Sequence, residues 1–226
     1  MELVGITGKS GSGKTTFSNM LAQNSEIGVI HVDNILKDIK LKYFKFLMKE
    51  NVHGEKTKVD SGLKTMLYKN KILFNIFMRF RAKLIEKPLT TEINNLKSDR
   101  KKIILIDDIF LQHLTCYKDL SLLFLIERPF IDRRISLMER DGLTKEEVVA
   151  YDIAHFTGNY KEISHNRKTI KIINNDSKEN LNIIAEKIYK KHFVSFKNKY
   201  KVKNLKVRNH ELVPEITTAK FKNFTR

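Results

Sequence analysis

The stretch Glu2-Leu-Val-Gly-Ile-Thr-Gly-Lys-Ser-Gly-Ser-Gly-Lys-Thr-Thr16 holds four of the chain's nine glycines. Inside it, Gly8, Gly13, Lys14 and Thr15 complete the pattern G-x-x-x-x-G-K-[ST] of a phosphate-binding loop. Glycines let the backbone curl so that successive N–H groups point inward at phosphate oxygens. The sequence therefore predicts that the chain binds a nucleoside triphosphate.

The sequence around this loop has the context that the motif requires. An apolar, β-branched run at Leu3–Thr7 predicts a strand before the loop, and a helix-like stretch over 17–22 follows it. Lys14 can reach the β- and γ-phosphates of ATP, and the Thr15 hydroxyl can ligate Mg²⁺. The alternative is a glycine-rich turn that only joins strand to helix. The residues expected to contact the nucleotide are Gly8, Ser10, Gly11, Ser12, Gly13, Lys14, Thr15 and Thr16.

The composition sets further limits on the class of protein. With 226 residues, the chain is expected to form one α/β domain with an insertion or a tail. Its one cysteine, Cys116, excludes an internal disulfide and a cysteine-based zinc site. No apolar run approaches the length of a membrane span, and the first strand begins at the N-terminus. We therefore expect a cytoplasmic protein without a membrane partner, as a monomer or small homo-oligomer.

The net charge of +17 has two explanations. Lysine, asparagine and isoleucine are abundant throughout, a bias that an AT-rich genome produces by itself. The alternative is an electrostatic role, either attraction of phosphate-rich substrates or weak contact with RNA. Residues 192–226 carry nine lysines and arginines against two acidic residues. They are expected to form a basic extension beyond a domain that spans 1–191.

Strand-like and helix-like segments alternate along most of the chain, which predicts an α/β fold of three layers with a parallel five-stranded sheet. The five apolar β-branched runs are Leu3–Thr7, Ile27–Val32, Ile103–Ile106, Leu122–Ile126 and Thr169–Ile173.

Residues 34–99 interrupt this alternation with a helical insertion that is expected to contain no strand. Four of its apolar residues stand at i, i+4, i+7 and i+11, the spacing of one helical face, which Phe74 and Ile76 widen. These four are Leu73, Phe77, Phe80 and Leu84. The face either packs on the sheet or closes over an acceptor substrate.

Two carboxylates follow predicted strands, at the edge where such sheets bind ligands. Asp33 follows the second strand, where it can take the proton of an attacking hydroxyl. Asp107 ends the third strand and is a better candidate than Asp108 for holding Mg²⁺. The alternative for both Asp33 and Asp107 is a helix cap.

Residues 128–165 are expected to form a lid over the nucleotide. Arg133 and Arg140 stand seven residues apart and share a helical face. Their planar guanidinium groups can bridge phosphate oxygens whose charge grows during transfer. The alternative is that both are ordinary surface arginines.

With these residues in place, the chain resembles the dephospho-coenzyme A kinase family of P-loop kinases from Met1 to about Lys191. The four matching segments, in family order, are Val4–Asp33 with its phosphate loop, Glu86–Ile93, Arg140–Val148 and Lys171–Leu181. The resemblance implies transfer of the ATP γ-phosphate to the ribose 3′-hydroxyl of dephospho-coenzyme A. It also implies that Asp33 is the base, that Lys14 and Arg140 assist transfer, and that Asn174 lies near the adenine.

The sequence departs from the family on the acceptor and lid side. The departures are Lys9 and Ser10 in the loop, Lys87, the segment 108–113, Ser136 and His155. Arg133, one turn from Ser136, is expected to stand in for the missing lid arginine. These changes leave three alternatives open: a nucleoside (uridine-like) kinase, a nucleotide-dependent RNA-binding or assembly factor, and a homologue without activity.

Overall fold

The computed structural model describes residues 1–47, 71–142, 144–146, 148–149, 169–175 and 178–194. Its centre is one sheet of five strands in the order β2-β3-β1-β4-β5, and every neighbouring pair is parallel. The strands are β1 (Glu2–Thr7), β2 (Ile27–His31), β3 (Ile103–Asp107), β4 (Leu122–Glu127) and β5 (Thr169–Ile173). The predicted fold class, a parallel five-stranded α/β sheet, is confirmed.

Helices connect these strands, as parallel pairing requires. They are α1 (Lys14–Leu21), α2 (Val32–Leu47), α3 (Lys71–Ser98), α4 (Phe130–Asp141) and α5 (Lys178–Ile188). Two short 3₁₀ helices, Leu111–His113 and Thr115–Asp119, precede β4, and a π-helical turn, Tyr189–Val194, continues α5. The second strand ends one residue earlier than predicted, because Val32 already begins α2.

Two hydrophobic cores cover the two faces of the sheet. On one face, α1 and α5 contribute Phe17, Leu181 and Ala185, and the ring of Phe17 packs edge-on against Phe124 at 5.6 Å. On the other face, α2, α3 and the 3₁₀ helices form the second core. Its fully buried members include Ile85, Ile104, Ile106 and Leu111. The three layers place the carboxyl ends of β1, β2 and β3 beside the starts of α1 and α2.

The buried face of α3 differs from the predicted one. Phe77 and Phe80 are 40% and 59% exposed. The buried face is rotated by one residue and consists of Phe74, Met78, Arg81, Ile85 and Leu89. Ile85 and Leu89 pack on the sheet, whereas Phe74 and Met78 pack against Phe110. The apolar pattern missed this face because an arginine lies in its middle.

Several predictions fall on residues outside the described part of the chain. These are the segment 48–70 of the insertion, residues 150–165 of the predicted lid, which include His155, and the extension from residue 195 onward. The described chain continues past Lys191, where Phe193 is 5% exposed and packs edge-on against Phe124 at 6.2 Å. Among the described helices, none is both long and apolar enough to cross a membrane.

Candidate active site

The glycine-rich loop joins β1 to α1 at the carboxyl edge of the sheet, and two of its glycines are required by geometry. Gly8 has φ of +147°, and a side chain there would collide with the backbone carbonyl of Ile126. Gly13 has φ of +95°, and a Cβ atom there would lie 2.5 Å from Asn174 Nδ2. L-residues with side chains rarely adopt such φ values. The backbone curl predicted from the spacing is therefore present.

Four consecutive carbonyls of the loop each accept a hydrogen bond from a side chain. The pairs are Lys9 O with Lys14 Nζ (3.1 Å), Ser10 O with Arg133 Nη1 (3.3 Å), Gly11 O with Arg128 Nη1 (3.3 Å) and Ser12 O with Asn174 Nδ2 (2.8 Å). The C=O and N–H of one trans peptide point in opposite directions. The N–H groups of Gly11 and Gly13 therefore point away from Arg133 and Asn174. This orientation leaves both N–H groups available to an anion.

Lys14 interacts electrostatically with three other predicted site residues, Asp33, Asp107 and Arg140. Burial lowers the pKa of its ammonium, while Asp107, Asp33 and Asp108 act in the opposite direction. Arg140, an exposed residue in the last turn of α4, lowers the pKa slightly further. A partly buried ammonium with one more cation nearby gains from a polyanionic ligand. Asp33, Asp107 and Arg140 are therefore close enough to Lys14 to shift its pKa.

Thr15 and Asp107, the two predicted metal ligands, are direct hydrogen-bond partners. The Thr15 hydroxyl donates to Asp107 Oδ2 at 2.9 Å, across 92 positions of sequence. Both groups offer oxygen atoms, the donors that Mg²⁺ prefers. Magnesium commonly takes one or two carboxylates together with substrate phosphates rather than a complete protein cage. The described residues contain no cluster of three or more His, Cys, Asp or Glu that would form such a cage, so the donor set fits Mg²⁺ held together with a nucleotide.

A second carboxylate beside the site is already engaged. Asp108 accepts two hydrogen bonds from Arg81, at 3.0 and 2.6 Å, and both side chains are almost completely buried. Burial raises the pKa of Asp108, and the neighbouring guanidinium opposes this shift. The Arg81 guanidinium also lies 5.5 Å from the ring centroid of Phe110. This pair ties α3 to the end of β3 and leaves Asp107 as the carboxylate nearer the loop.

The segment 108–113, which departs from the family pattern, packs against α3. Burial and the Arg81 charge lower the pKa of His113, which favours its neutral imidazole. Its Nε2 atom and Gln112 Oε1 are buried, and neither has a hydrogen-bond partner in the described part of the protein. Lys87, another departure, is exposed on α3. The structure therefore separates Lys87 from the buried residues of this segment.

A cavity of about 470 Å³ adjoins the loop between α1 and α5. Gly13, Thr16, Asn174 and Arg128 line it, so three residues predicted to contact the nucleotide, Gly13, Thr16 and Asn174, lie at one opening. Arg133 lies elsewhere: it is 2% exposed and donates to the carbonyls of Ser10 and Arg128. That position braces the loop, and a contact of Arg133 with the nucleotide stays a prediction.

Two further contacts escaped the sequence analysis. His31, the last residue of β2, lies 3.0 Å from Asp107 through Nδ1, and the two residues are paired in the sheet register. Arg128 also donates to Ser136 at 2.9 Å, at the position where a lid arginine was missing. A parallel register between β2 and β3 would have suggested the first contact, because the last residues of neighbouring strands then lie side by side. Nothing in the sequence pattern suggested the second.

Comparisons with known proteins agree with this architecture. No protein-family model and no curated protein matches the chain. Among solved structures, TT1252 from Thermus thermophilus aligns over 84% of this chain and 97% of its own, with 21% identity and a TM-score of 0.59. Shikimate kinase from Acinetobacter baumannii, in complex with shikimate, aligns over 88% and 95%, with 15% identity and a TM-score of 0.50. Dephospho-CoA kinase from Campylobacter jejuni aligns over 88% and 100%, with 20% identity and a TM-score of 0.49. At such identities the likeness establishes the fold alone, the parallel α/β fold that this chain shares with TT1252 and with shikimate kinase.

Proposed function

We propose that this chain is an ATP- and Mg²⁺-dependent small-molecule kinase that phosphorylates an alcohol. The observation that carries the proposal is the convergence of Lys14, Asp33 and the Thr15–Asp107 pair at one edge of the sheet. A phosphate loop alone serves many nucleotide-binding proteins. A carboxylate beside the Lys14 ammonium and a metal-ligand pair add the two groups that transfer to a hydroxyl needs.

Binding of the triphosphate depends on the loop. Because side chains hold the carbonyls of Ser10 and Ser12, the N–H groups of Gly11 and Gly13 are left for phosphate oxygens, and the start of α1 adds a partial positive charge. Lys14 neutralises charge on the β- and γ-phosphates. Mg²⁺, when held by Thr15 and Asp107 together with the phosphates, supplies further neutralisation of the transferred group. Arg140 adds a further cation from α4 in this proposal, which is supported by its electrostatic effect on Lys14.

Transfer requires a proton acceptor on the opposite side of the phosphoryl group. The acceptor hydroxyl oxygen attacks the γ-phosphorus, the bond from this phosphorus to the bridging oxygen breaks, and ADP leaves with that electron pair. Asp33 takes the hydroxyl proton in the proposed mechanism. Its position in the first turn of α2, with an exposed side chain, lets a substrate approach it. Asp108 does not compete for this role, since Arg81 holds both of its oxygens.

The acceptor that we propose is dephospho-coenzyme A, phosphorylated on its 3′-hydroxyl to give coenzyme A. The support is the order and spacing of the four segments that resemble the dephospho-coenzyme A kinase family. The site geometry supports the kinase class, whereas the choice of acceptor rests on the sequence resemblance. Segment 108–113 and Lys87 differ from the family pattern, so the acceptor needs its own test.

A coupled assay of ADP release tests both levels of the proposal. Purified protein with ATP and Mg²⁺ is given dephospho-coenzyme A, shikimate, uridine and other nucleosides, or no acceptor. We expect ADP release above the acceptor-free rate with dephospho-coenzyme A alone, and a product whose mass has gained one phosphoryl group. If only uridine stimulates ADP release, the proposed acceptor is wrong and the assignment as a small-molecule kinase stands. Absence of nucleotide binding would overturn both.

The matched control for this assay is Asp33→Asn, which keeps the shape of the side chain and removes its capacity to take a proton. This variant is expected to bind ATP with wild-type affinity and to lose transfer. Retained transfer would remove Asp33 from the role of base.

A further inference from the structure

A histidine at the end of β2 contacts the carboxylate that is proposed to serve the metal. His31 Nδ1 lies 3.0 Å from Asp107 Oδ2, the same oxygen that accepts the Thr15 hydroxyl at 2.9 Å. The parallel pairing of β2 with β3 sets His31 opposite Asp107, so backbone hydrogen bonds fix this neighbourhood. The side chains are 21% and 6% exposed, respectively. Water therefore has limited access to the contact.

The direction of this hydrogen bond follows from the chemistry of the two groups. A carboxylate oxygen that accepts the Thr15 hydroxyl also accepts from the imidazole, so Nδ1 carries the hydrogen. The other ring nitrogen, Nε2, lies 3.1 Å from Asn19 Oδ1. An asparagine amide can present either its oxygen or its NH₂ group at one place. In both orientations of Asn19, the hydrogen on His31 Nδ1 remains directed at Asp107 Oδ2.

The Thr15 hydroxyl and the His31 imidazole both donate to Oδ2 of the Asp107 carboxylate. Within the described residues, its other oxygen, Oδ1, accepts no hydrogen bond. Groups that hydrogen-bond to a metal ligand orient that ligand and tune its affinity for the metal. We infer that His31 is a positioning residue that orients the Asp107 carboxylate for a divalent cation bound with the nucleotide. This inference rests on the proposed function.

The hydrogen-bonded chain also reaches the cavity beside the loop. Asn19 lies on α1 and lines that cavity together with Thr16. The chain therefore runs from Asn19 through His31 to Asp107 and Thr15.

Three substitutions in the full chain separate positioning from a structural role. His31→Ala removes both ring nitrogens. His31→Asn places an amide N–H near the former Nδ1, while His31→Gln places it nearer the former Nε2. Isothermal titration calorimetry measures ADP affinity at a series of Mg²⁺ concentrations, and thermal unfolding checks that each variant folds.

We expect His31→Ala and His31→Gln to raise the Mg²⁺ concentration for half-maximal enhancement of ADP binding by about tenfold, the lower end of effects seen for such outer ligands. His31→Asn should stay near wild type, and ADP affinity without Mg²⁺ should be the same in all variants. If His31→Ala fails to fold, the contrast between Asn and Gln carries the test.

An unchanged Mg²⁺ requirement in His31→Ala would overturn the inference, as would equal effects of Asn and Gln. If the wild type shows no Mg²⁺-dependent ADP binding at all, the proposed function falls, and the inference falls with it. The wild-type titration thus distinguishes the two failures.

Discussion

Lys14 is the residue at which the proposed binding of a nucleotide and the stability of the free protein make opposite demands. Its ammonium lies in dense surroundings that lower its pKa from the ordinary value of 10.5, although Asp107, Asp33 and Asp108 favour the charged form. The pKa values of groups in functional sites are commonly shifted in this way by burial and by nearby charges. A nucleotide that brings negative charge relieves this penalty, so the free protein keeps a cost that the bound protein does not have.

This cost predicts the behaviour of Lys14→Met, a substitution that keeps the length of the side chain and removes the charge. Between the folded-state pKa and 10.5, the unfolded chain holds a proton that the folded chain has released. Wild-type stability therefore gains from rising pH in this window. The Met variant lacks this gain, so its stability advantage over wild type should shrink as pH rises from 7 towards 10. Urea unfolding at several pH values measures the difference.

The control for this experiment is Lys37→Met, which removes a lysine from an exposed position on α2. A wild-type stability that changes with pH in parallel with Lys14→Met would contradict the prediction. The Lys14 variant should also have no measurable kinase activity, because the phosphates lose their cation.

At the scale of secondary structure, α3 shows how one ion pair sets the orientation of a helix. The guanidinium of Arg81 binds Asp108, directly after β3. The same helix face buries Ile85 against the sheet and Phe74 and Met78 against Phe110. Breaking a buried pair by removing one partner typically costs about 3–5 kcal/mol. The alternative face, with Phe77 and Phe80, would place Arg81 away from Asp108. Asp108 would then be a buried carboxylate without its cation.

This orientation predicts different effects of two apolar truncations in α3. Met78 is 1% exposed, and Met78→Ala should lower the free energy of unfolding by about 2–5 kcal/mol through lost burial and a cavity. Phe80 is 59% exposed, and Phe80→Ala should change it by only about 0.5 kcal/mol. Chemical denaturation of both variants gives the comparison. If Phe80→Ala lowered the free energy of unfolding more than Met78→Ala, the buried face of α3 would be the one predicted from the sequence.

At the scale of the whole molecule, the question is where the folded core ends. The sequence placed the boundary at residue 191, where the basic extension was expected to begin. In the structure, Phe193 packs edge-on against Phe124 of β4 and is 5% exposed. Tyr189, in the same π-helical turn, adjoins Phe193 with ring centroids 6.2 Å apart. The core therefore includes residues that composition assigned to the extension.

Two truncated chains test this assignment. A chain that ends at Lys191 lacks Phe193, whereas one that ends at Val194 keeps it. We expect the shorter chain to be less stable than the longer by about 3–5 kcal/mol, the usual effect of removing a buried aromatic side chain. Thermal and urea unfolding provide the measurement. Equal stability would place the end of the core before residue 192.

The same two chains address the RNA-binding alternative. If the intact protein binds RNA in a salt-sensitive way and the chain that ends at Val194 does not, the basic extension carries that binding. Unchanged kinase activity in the longer truncation would show that the extension is not needed for catalysis. RNA binding that is undetectable in the intact protein would end this alternative.

Local pattern was sufficient for the parts of the fold that depend on neighbours in sequence. The glycine spacing predicted the phosphate loop, since φ values such as +147° at Gly8 depend on the residue type at that position. Apolar β-branched runs predicted all five strands to within a residue at each end. Alternation of strands with helices predicted parallel pairing, because a parallel connection needs a long crossover.

Other features depended on contacts between distant segments, and no local pattern encodes them. The Thr15–Asp107 bond joins residues 92 apart, His31 meets Asp107 across 76, and Arg81 meets Asp108 across 27. The sequence by itself determined the loop, the strands and the residue types available at the sheet edge. Only the tertiary structure decided that Arg81 engages Asp108, which face of α3 is buried and which histidine contacts Asp107. The physical reason is that a backbone conformation is set within a few residues, whereas the burial and pairing of charges depend on the whole sheet.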